Sequence, residues 1–432
     1  MTEYQSFDIL GRVTQSQQTT DGTAYNPMTY TYNLSGSLIE QKYPSGRVVK
    51  NVLDADGDLS IVQSKKNANS GFWNYASHFS YTASGAVSSM QLGNGRWEST
   101  QFNNRLQPTQ IALGTTPQSL TNLLKLDFNY GTSDNNGNVK TQIITVPSTA
   151  GQNNGFTATQ TYNYDSLNRL KDASETIGSQ TWKQTYKYDR FGNREFDAAN
   201  TTTLGGCSQA VCNPSINTAD NRFNTGQGYS YDSAGNLKTD AEGKQFTYDA
   251  DNKQTEVKNQ YSQSIGTYFY DADGKRVKKL VPSTGETTIF VYDAAGKLVA
   301  EYSTIVETTN AKVGYLTNDH LGSPRIVTDR NGNVTSRRDF LPFGEEIAST
   351  IGGRSYVQGY QPDNVRQHFT GYEKDQESSL DFAQARMYGG SHGRFTSPDP
   401  LMASARKVNP QTFNRYSYVK SSIWVCLRMV FG

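Results

Sequence analysis

Cysteine, histidine and net charge are all scarce in this chain: 3 Cys and 4 His in 432 residues, with 41 basic side chains against 40 acidic ones for a net +1. Three cysteines cannot build the dense disulfide framework of small secreted domains. The histidines, His78, His320, His368 and His392, show no metal-ligand spacing, and no H-E-x-x-H occurs, so neither a metal nor a cofactor is expected. Balanced charge argues against nucleic acid and anionic membrane as partners, because both need a concentrated basic face. The longest apolar stretch, Ile423 to Phe431, is about half of the ~20 residues a bilayer crossing takes, so no transmembrane span is expected. No signal peptide is expected from the opening residues, since Met1-Thr-Glu-Tyr-Gln-Ser has neither a basic start nor an apolar run. A G-x-S-x-G elbow and a phosphate-cradling loop are also missing, which leaves hydrolase and nucleotide-binding readings without support.

Apolar residues are only 34% of the chain, and Leu, Ile, Val and Phe make up about 19%. Such a composition points to disorder when net charge is high, but here charge is balanced and aromatics reach 12%, with 27 Tyr and 38 Gly. The composition therefore predicts a folded, thin-layered protein without one large oily core.

One phrase recurs: an aromatic, Asp or Asn, two variable residues, Gly or Asn, a polar position that is often Asn, Lys or Arg, then an aliphatic. Clear copies are Phe7-Asp-Ile-Leu-Gly-Arg-Val13, Tyr164-Asp-Ser-Leu-Asn-Arg-Leu170, Tyr231-Asp-Ser-Ala-Gly-Asn-Leu237 and Tyr292-Asp-Ala-Ala-Gly-Lys-Leu298. Tyr270-Asp-Ala-Asp-Gly-Lys-Arg-Val277 carries one extra residue, and weaker copies begin at Tyr32, Leu53, Tyr81, Tyr130, Tyr188 and Tyr248. Asp bonds backbone N–H groups two residues on, and Gly or Asn takes the positive φ of a tight reversal, so the middle of the phrase is a hairpin turn. Flanks such as Gln160-Thr-Tyr-Asn-Tyr164 alternate with period two and predict half-buried strands, where a Tyr ring packs while its hydroxyl stays wet. Roughly a dozen two-strand repeats at ~4.8 Å spacing make a ribbon about 115 Å wide. Open sheets rarely pass ten strands, so the ribbon must coil. The two calcium-like stretches, Asp54-Ala-Asp-Gly-Asp58 and Asp271-Ala-Asp-Gly274, are read as turns, because Lys65 and Pro282 stand where a bidentate acid is needed. The long interval from Tyr188 to Tyr231 holds Cys207 and Cys212, whose spacing fits a small disulfide or two free thiols; Cys426 stands apart.

The phrase resembles the YD repeat of Rhs proteins over about residues 1–310. Residues 311–419 resemble the Rhs repeat-associated core domain, through Asp319-His-Leu-Gly-Ser-Pro-Arg325, Pro342-Phe-Gly-Glu345, Phe369-Thr-Gly-Tyr372, Asp381-Phe-Ala-Gln-Ala-Arg-Met-Tyr388, Gly393-Arg-Phe-Thr-Ser-Pro-Asp-Pro400 and Asn414-Arg-Tyr-Ser-Tyr-Val419. The resemblance implies an all-β fold: a spiralling single-layer antiparallel sheet of hairpins forming a partial β-shell or cage, with a small mixed C-terminal core domain closing one end. In Rhs proteins and in the similar C subunits of insecticidal toxin complexes, the shell holds the chain's own C-terminal toxin; teneurins use a related shell for adhesion. The implied setting is a bacterial polymorphic-toxin lineage, secreted or at the cell surface, with secretion or delivery machinery and surface glycans as further partners.

The family's core is an aspartic self-protease, and the matching residues are Arg386 and Asp399. Two close carboxylates share a proton, so one acts as acid while the other activates water. Family members carry a second Asp-Pro-x-Gly, whose acid would fall near Arg428 here, but residues 420–432 read Lys420-Ser-Ser-Ile-Trp-Val-Cys-Leu-Arg-Met-Val-Phe-Gly432, and Asp399-Pro400 is followed by Leu401-Met402. The expectation is a frameshifted or truncated, non-cleaving chain without cargo, in which Arg386 and Asp399 form an ion pair pinning the core across the shell. A repeat already under way at Phe7 adds the expectation of the last turns of a shell with an exposed strand edge. Two other readings compete: a glycan-binding adhesion protein displaying its tyrosines, and a self-protease using Asp381 or Asp375 as second acid. His320 is expected to serve structurally, and His392 to occupy a loop near Arg386 and Asp399.

Overall fold

A computed structural model describes residues 1–149, 151–305, 313–400 and 410–418. Antiparallel strands dominate it: a 17-stranded sheet from Thr2–Phe7 to Arg194–Phe196, then an 8-stranded sheet from Ser230–Tyr231 to Leu298–Ser303. The core segment adds a 3-stranded and a 4-stranded sheet, Tyr315–Asn318 to Val334–Arg337 and Glu373–Asp375 to Arg394–Phe395. Its mixed character comes from 3-10 turns between these hairpins; the single α-helix among the described residues, Gln209–Cys212, lies in the wall.

The repeated phrase folds as its chemistry dictates. The Asp165 carboxylate accepts from the backbone N–H of Leu167 at 2.9 Å and of Arg169 at 2.9 Å. Asn168, at φ 60°, completes the reversal and donates its N–H to the Asp165 carbonyl. The same side-chain bonds recur at Asp8, Asp54, Asp271 and Asp293, which disposes of the calcium alternative at Asp54 and Asp271.

The tyrosine hydroxyls depart from expectation: they are not left wet. Tyr188 donates to the carbonyl of Leu170 at 2.7 Å, Tyr164 to Val139 at 2.8 Å, Tyr270 to Gln254 at 2.7 Å and Tyr292 to Arg276 at 2.9 Å. Each bond reaches back into the preceding repeat. Burial is the main cause that raises the pKa of the Tyr188, Tyr270 and Tyr292 hydroxyls, so these three stay neutral donors. The variable polar position is explained by the same contact, since the cation of one repeat lies over the next repeat's ring: Arg12 over Tyr32 at 4.6 Å, Arg169 over Tyr188 at 4.6 Å, Lys275 over Tyr292 at 5.6 Å.

The ribbon coils far enough to meet itself. Gln18 Nε2 donates to the Phe290 carbonyl at 2.8 Å, and the Ala294 N–H donates to Tyr30 Oη at 2.9 Å. Met28, Tyr30 and Val291 form a shared buried cluster at this closure. Among the described residues Thr2–Phe7 pairs only with Val13–Thr20, which makes it an edge strand there. The wall's inner face packs on the core segment in successive arcs. Leu124, Leu126, Ile144 and Phe156 meet Tyr315, Ile326 and Tyr360; Trp182 and Tyr186 meet Phe343 and Ile347; the Val257 and Tyr268 cluster meets Leu380. Many inward positions are polar, as with Gln160, whose Nε2 donates to buried Glu175 at 2.9 Å, which accounts for the low apolar content.

The hydroxyl bonds generate a direct prediction. Tyr188→Phe leaves the Leu170 carbonyl without its donor and costs about 1–2 kcal/mol in urea unfolding, whereas Tyr261→Phe, at a position 74% exposed, leaves the midpoint unchanged.

Candidate functional site

Arg386 opens the strand Arg386–Gly389, directly after the tight turn in which Gln384 has φ 57°. Asp399 sits between Pro398 and Pro400, in extended chain whose backbone is held by Arg415: the Asp399 N–H donates to the Arg415 carbonyl at 2.8 Å, and Arg415 Nε donates to the Asp399 carbonyl at 2.9 Å. The structure brings the two candidates together, with Arg386 Nη2 at 3.8 Å from Asp399 Oδ2. That is ion-pair distance but longer than a hydrogen bond. The guanidinium lies 3.7 Å from the centre of the Phe395 ring, and its Nη1 donates to the Arg415 carbonyl at 3.0 Å. Burial lowers its pKa, with Asp399 acting the other way. Both residues belong to the core segment, so this pair ties core to core and does not pin it across the wall.

Other charges do that work. Glu175, on the wall strand Leu170–Ile177, receives both Arg354 terminal nitrogens at 2.8 and 2.7 Å. Arg354 Nε continues to Asp339 at 2.7 Å, and Asp339 also takes Arg325 and the Tyr360 hydroxyl. A second bridge runs from the wall strand Arg276–Val281. Arg276 meets Asp375 at 2.6 Å and Glu373 at 2.6 Å, and Lys279 meets Asp375 at 2.8 Å. Burial alone would raise Asp339 and Asp375, but Arg354 and Arg325 hold the first below the usual carboxylate range, and Arg276 and Lys279 hold the second there.

The remaining candidates are placed as follows. Asp375 is consumed by its bridge to Arg276 and Lys279. Asp381 is 1% exposed; among the described residues neither of its oxygens meets a hydrogen-bond donor, and Lys374 Nζ stands 3.8 Å away. Burial pushes its carboxyl up to about 7, and the charges acting on it are Lys374 and Asp375. His320 packs edge-on against Phe128 at 4.4 Å, with burial taking it down to about 4. His392 turns away from Arg386 and Asp399 to the Val211 carbonyl at 2.8 Å. Cys207 and Cys212 are bridged. The position near Arg428, Leu401-Met402 and the tail 420–432 lie outside the described residues.

Sequence reasoning missed Glu175, Arg276, Asp339 and Arg354. The available signals were the irregular extra residue at Arg276 and an acid at Glu175 in the inward phase of a strand that buries Leu170 and Ala173.

Two measurements follow. Glu175→Gln leaves Arg354 under-compensated and costs about 3–5 kcal/mol in unfolding at pH 7. For Asp381, the folded value of about 7 lies above the ~3.9 of an unfolded Asp, so its favourable contribution is complete below about pH 4 and is lost as pH rises through about 7. Asp381→Asn therefore raises unfolding free energy at pH 8 by about 1–3 kcal/mol relative to the unsubstituted chain, with little difference at pH 4. Asp339 and Asp375, held low, act in the opposite window: their stabilisation is present above about pH 4 and fades as pH falls below it.

Comparison with known proteins agrees with this architecture. The solved TcdB2-TccC3 structure without its hypervariable C-terminal region superposes with a TM-score of 0.75 at 19% identity, over 98% of this chain and 23% of that one. The Tc holotoxin pore of Photorhabdus luminescens gives a TM-score of 0.75 at 18% identity, with 98% and 23% covered. Salivary gland surface protein 1 of Aedes aegypti is 37% identical over 84 residues, which are 19% of this chain and 2% of that protein. The chain thus spans under a quarter of the solved chains' length and a small fraction of the curated relative's. The teneurin YD-shell family model matches residues 59–423, and this chain belongs to that family.

Proposed function

We propose that this chain is a stretch of YD-shell wall, residues 1–310, with its resident core domain, residues 311–419, and a divergent tail, residues 420–432, and that it works by enclosing or presenting other polypeptide rather than by catalysis. The observation that carries this reading is the closure of the ribbon on itself at Gln18–Phe290 and Tyr30–Ala294 around a core clamped by Glu175–Arg354 and Arg276–Asp375. A wall closed in this way excludes proteases and partners from whatever it surrounds without sequence-specific contacts. By its similarity to the toxin-complex structures, the enclosed polypeptide in full-length relatives is a C-terminal toxin, and the setting is extracellular. The core's role is scaffolding: Arg386 is spent on Phe395, Arg415 and Asp399, while Asp375 and Asp381 answer to other charges.

A surface role has one observation in its favour. Trp73, 50% exposed, carries Arg330 over its ring at 5.8 Å, and Phe72, 41% exposed, is flanked by Lys65 at 5.1 Å; aromatic faces edged by cations suit an acidic glycan.

Intact mass of the purified chain tests the absence of self-cleavage. The full-length mass is expected for the unsubstituted protein and for Asp399→Asn alike; a shorter product abolished by that substitution would overturn the non-catalytic reading. Enclosure is tested by fusing a small unfolded reporter after residue 432: protease digestion is expected to be slowed relative to the free reporter, and equal rates would remove the container role.

A further inference from the structure

The wall is interrupted between its two sheets, over residues 197–229, by an insertion that holds a short helical turn and a separate two-stranded ladder, Ile216–Asn217 with Arg222–Phe223. Behind the interruption lies a cavity of about 380 Å³, lined by Phe196 and Phe246 from the wall, by Tyr229 at the end of the insertion, and by His392 and Phe395 from the core. Leu204, Val211 and Cys212 also line it, and Gly205 to Gln209 between them are exposed, so this stretch stands between cavity and solvent. The stretch Leu204–Cys212 is therefore a flap over a seam.

The flap is anchored at both ends and lightly held between. On one side Thr202 exchanges backbone and side-chain bonds with Lys183, at 2.8 Å each. On the other, the Asn213 amide bonds the Phe196 N–H at 2.8 Å and carbonyl at 2.9 Å. Between these anchors, the Tyr229 hydroxyl donates to the Ala210 carbonyl at 2.8 Å and His392 Nε2 donates to the Val211 carbonyl at 2.8 Å. Leu204 packs on the Trp182–Phe343 cluster, and within the flap itself exposed Cys207 is bridged to half-buried Cys212, with Cα atoms 6.0 Å apart, closing a ring that contains Ala210 and Val211.

We propose that the Cys207–Cys212 disulfide is a reducible clasp internal to the flap: by closing its ring it holds the Ala210 and Val211 carbonyls against Tyr229 and His392, and so keeps the flap seated over the seam. A dithiol reductant attacks the exposed Cys207 Sγ as a thiolate, forming a mixed disulfide and expelling the Cys212 thiolate, which takes up a proton. The reductant's second thiolate then displaces Cys207, leaving two protein thiols and one oxidised reductant. With the six-residue ring open, Leu204–Cys212 regains chain entropy and lifts from the cavity, while its anchors at Thr202 and Asn213 stay in place. The clasp belongs to the seam itself and does not depend on what the shell encloses.

Alkylation and hydrogen exchange test it on the full chain with dithiothreitol as the probe. Of the 3 cysteines, one is expected to react with iodoacetamide under denaturing conditions before reduction and all 3 after it. Under native conditions, reduction is expected to speed amide exchange in residues 204–212 by about tenfold or more, with Phe156–Tyr164 and Ser179–Tyr188 still protected. The double substitution Cys207→Ser with Cys212→Ser reproduces the reduced pattern without reductant. Three reactive thiols before reduction, unchanged exchange in the flap, or protection lost equally across the wall strands would each overturn the clasp.

Discussion

Tyr32, Tyr81, Tyr130, Tyr164, Tyr188, Tyr270 and Tyr292, which open copies of the phrase, each donate a hydroxyl hydrogen bond to a backbone carbonyl of the preceding repeat, and the shell depends on those bonds. A single-layer sheet has no second layer to satisfy and position it, so successive hairpins must be fixed to one another along the sheet itself. The Tyr188–Leu170, Tyr270–Gln254 and Tyr292–Arg276 bonds do this, while a cation of the preceding repeat covers the Tyr188 and Tyr292 rings. The Asp turn supplies the reversal, and the hydroxyl sets how far each reversal sits from the last. Regular spacing over many repeats then lets the ribbon return to its own start at Gln18 and Tyr30.

Closing a wall does not say where its contents sit. That decision falls to buried charge. Glu175–Arg354 and Arg276–Asp375 are ion pairs of almost no solvent exposure, each joining wall to core. Such pairs contribute less to net stability than a hydrophobic replacement would, but a mis-seated core leaves several desolvated charges unpaired. They act as a register key, and the apolar clusters around Ile144, Trp182 and Val257 fill in once the register is set. The Arg386–Asp399 pair stands inside the core, and Asp381 lies on the strand beside Asp375, whose charge acts on it.

The insertion over residues 197–229 shows how the architecture tolerates a break. The long wall sheet ends at Phe196 and the next begins at Ser230, and the gap is spanned by a disulfide-bridged flap and a short two-stranded ladder, Ile216–Asn217 with Arg222–Phe223. Sequence had suggested one continuous wall; the two-cysteine interval was the visible sign that it would not be continuous.

The turn chemistry, strand alternation, repeat length and all-β class were legible in the residues alone, because each is a local property: an Asp, a Gly and a period of two act within a few positions of themselves. Tyr164 and Asp165 declare a hairpin wherever they stand. Arg386 and Asp399 were found as a motif, and they do meet. What the chain order could not reveal was the fate of the hydroxyls, the pairing of Cys207 with Cys212, or the partnership of Glu175 with Arg354, 179 positions apart. Those depend on which surfaces the coil brings face to face, and only the closed three-dimensional wall decides that.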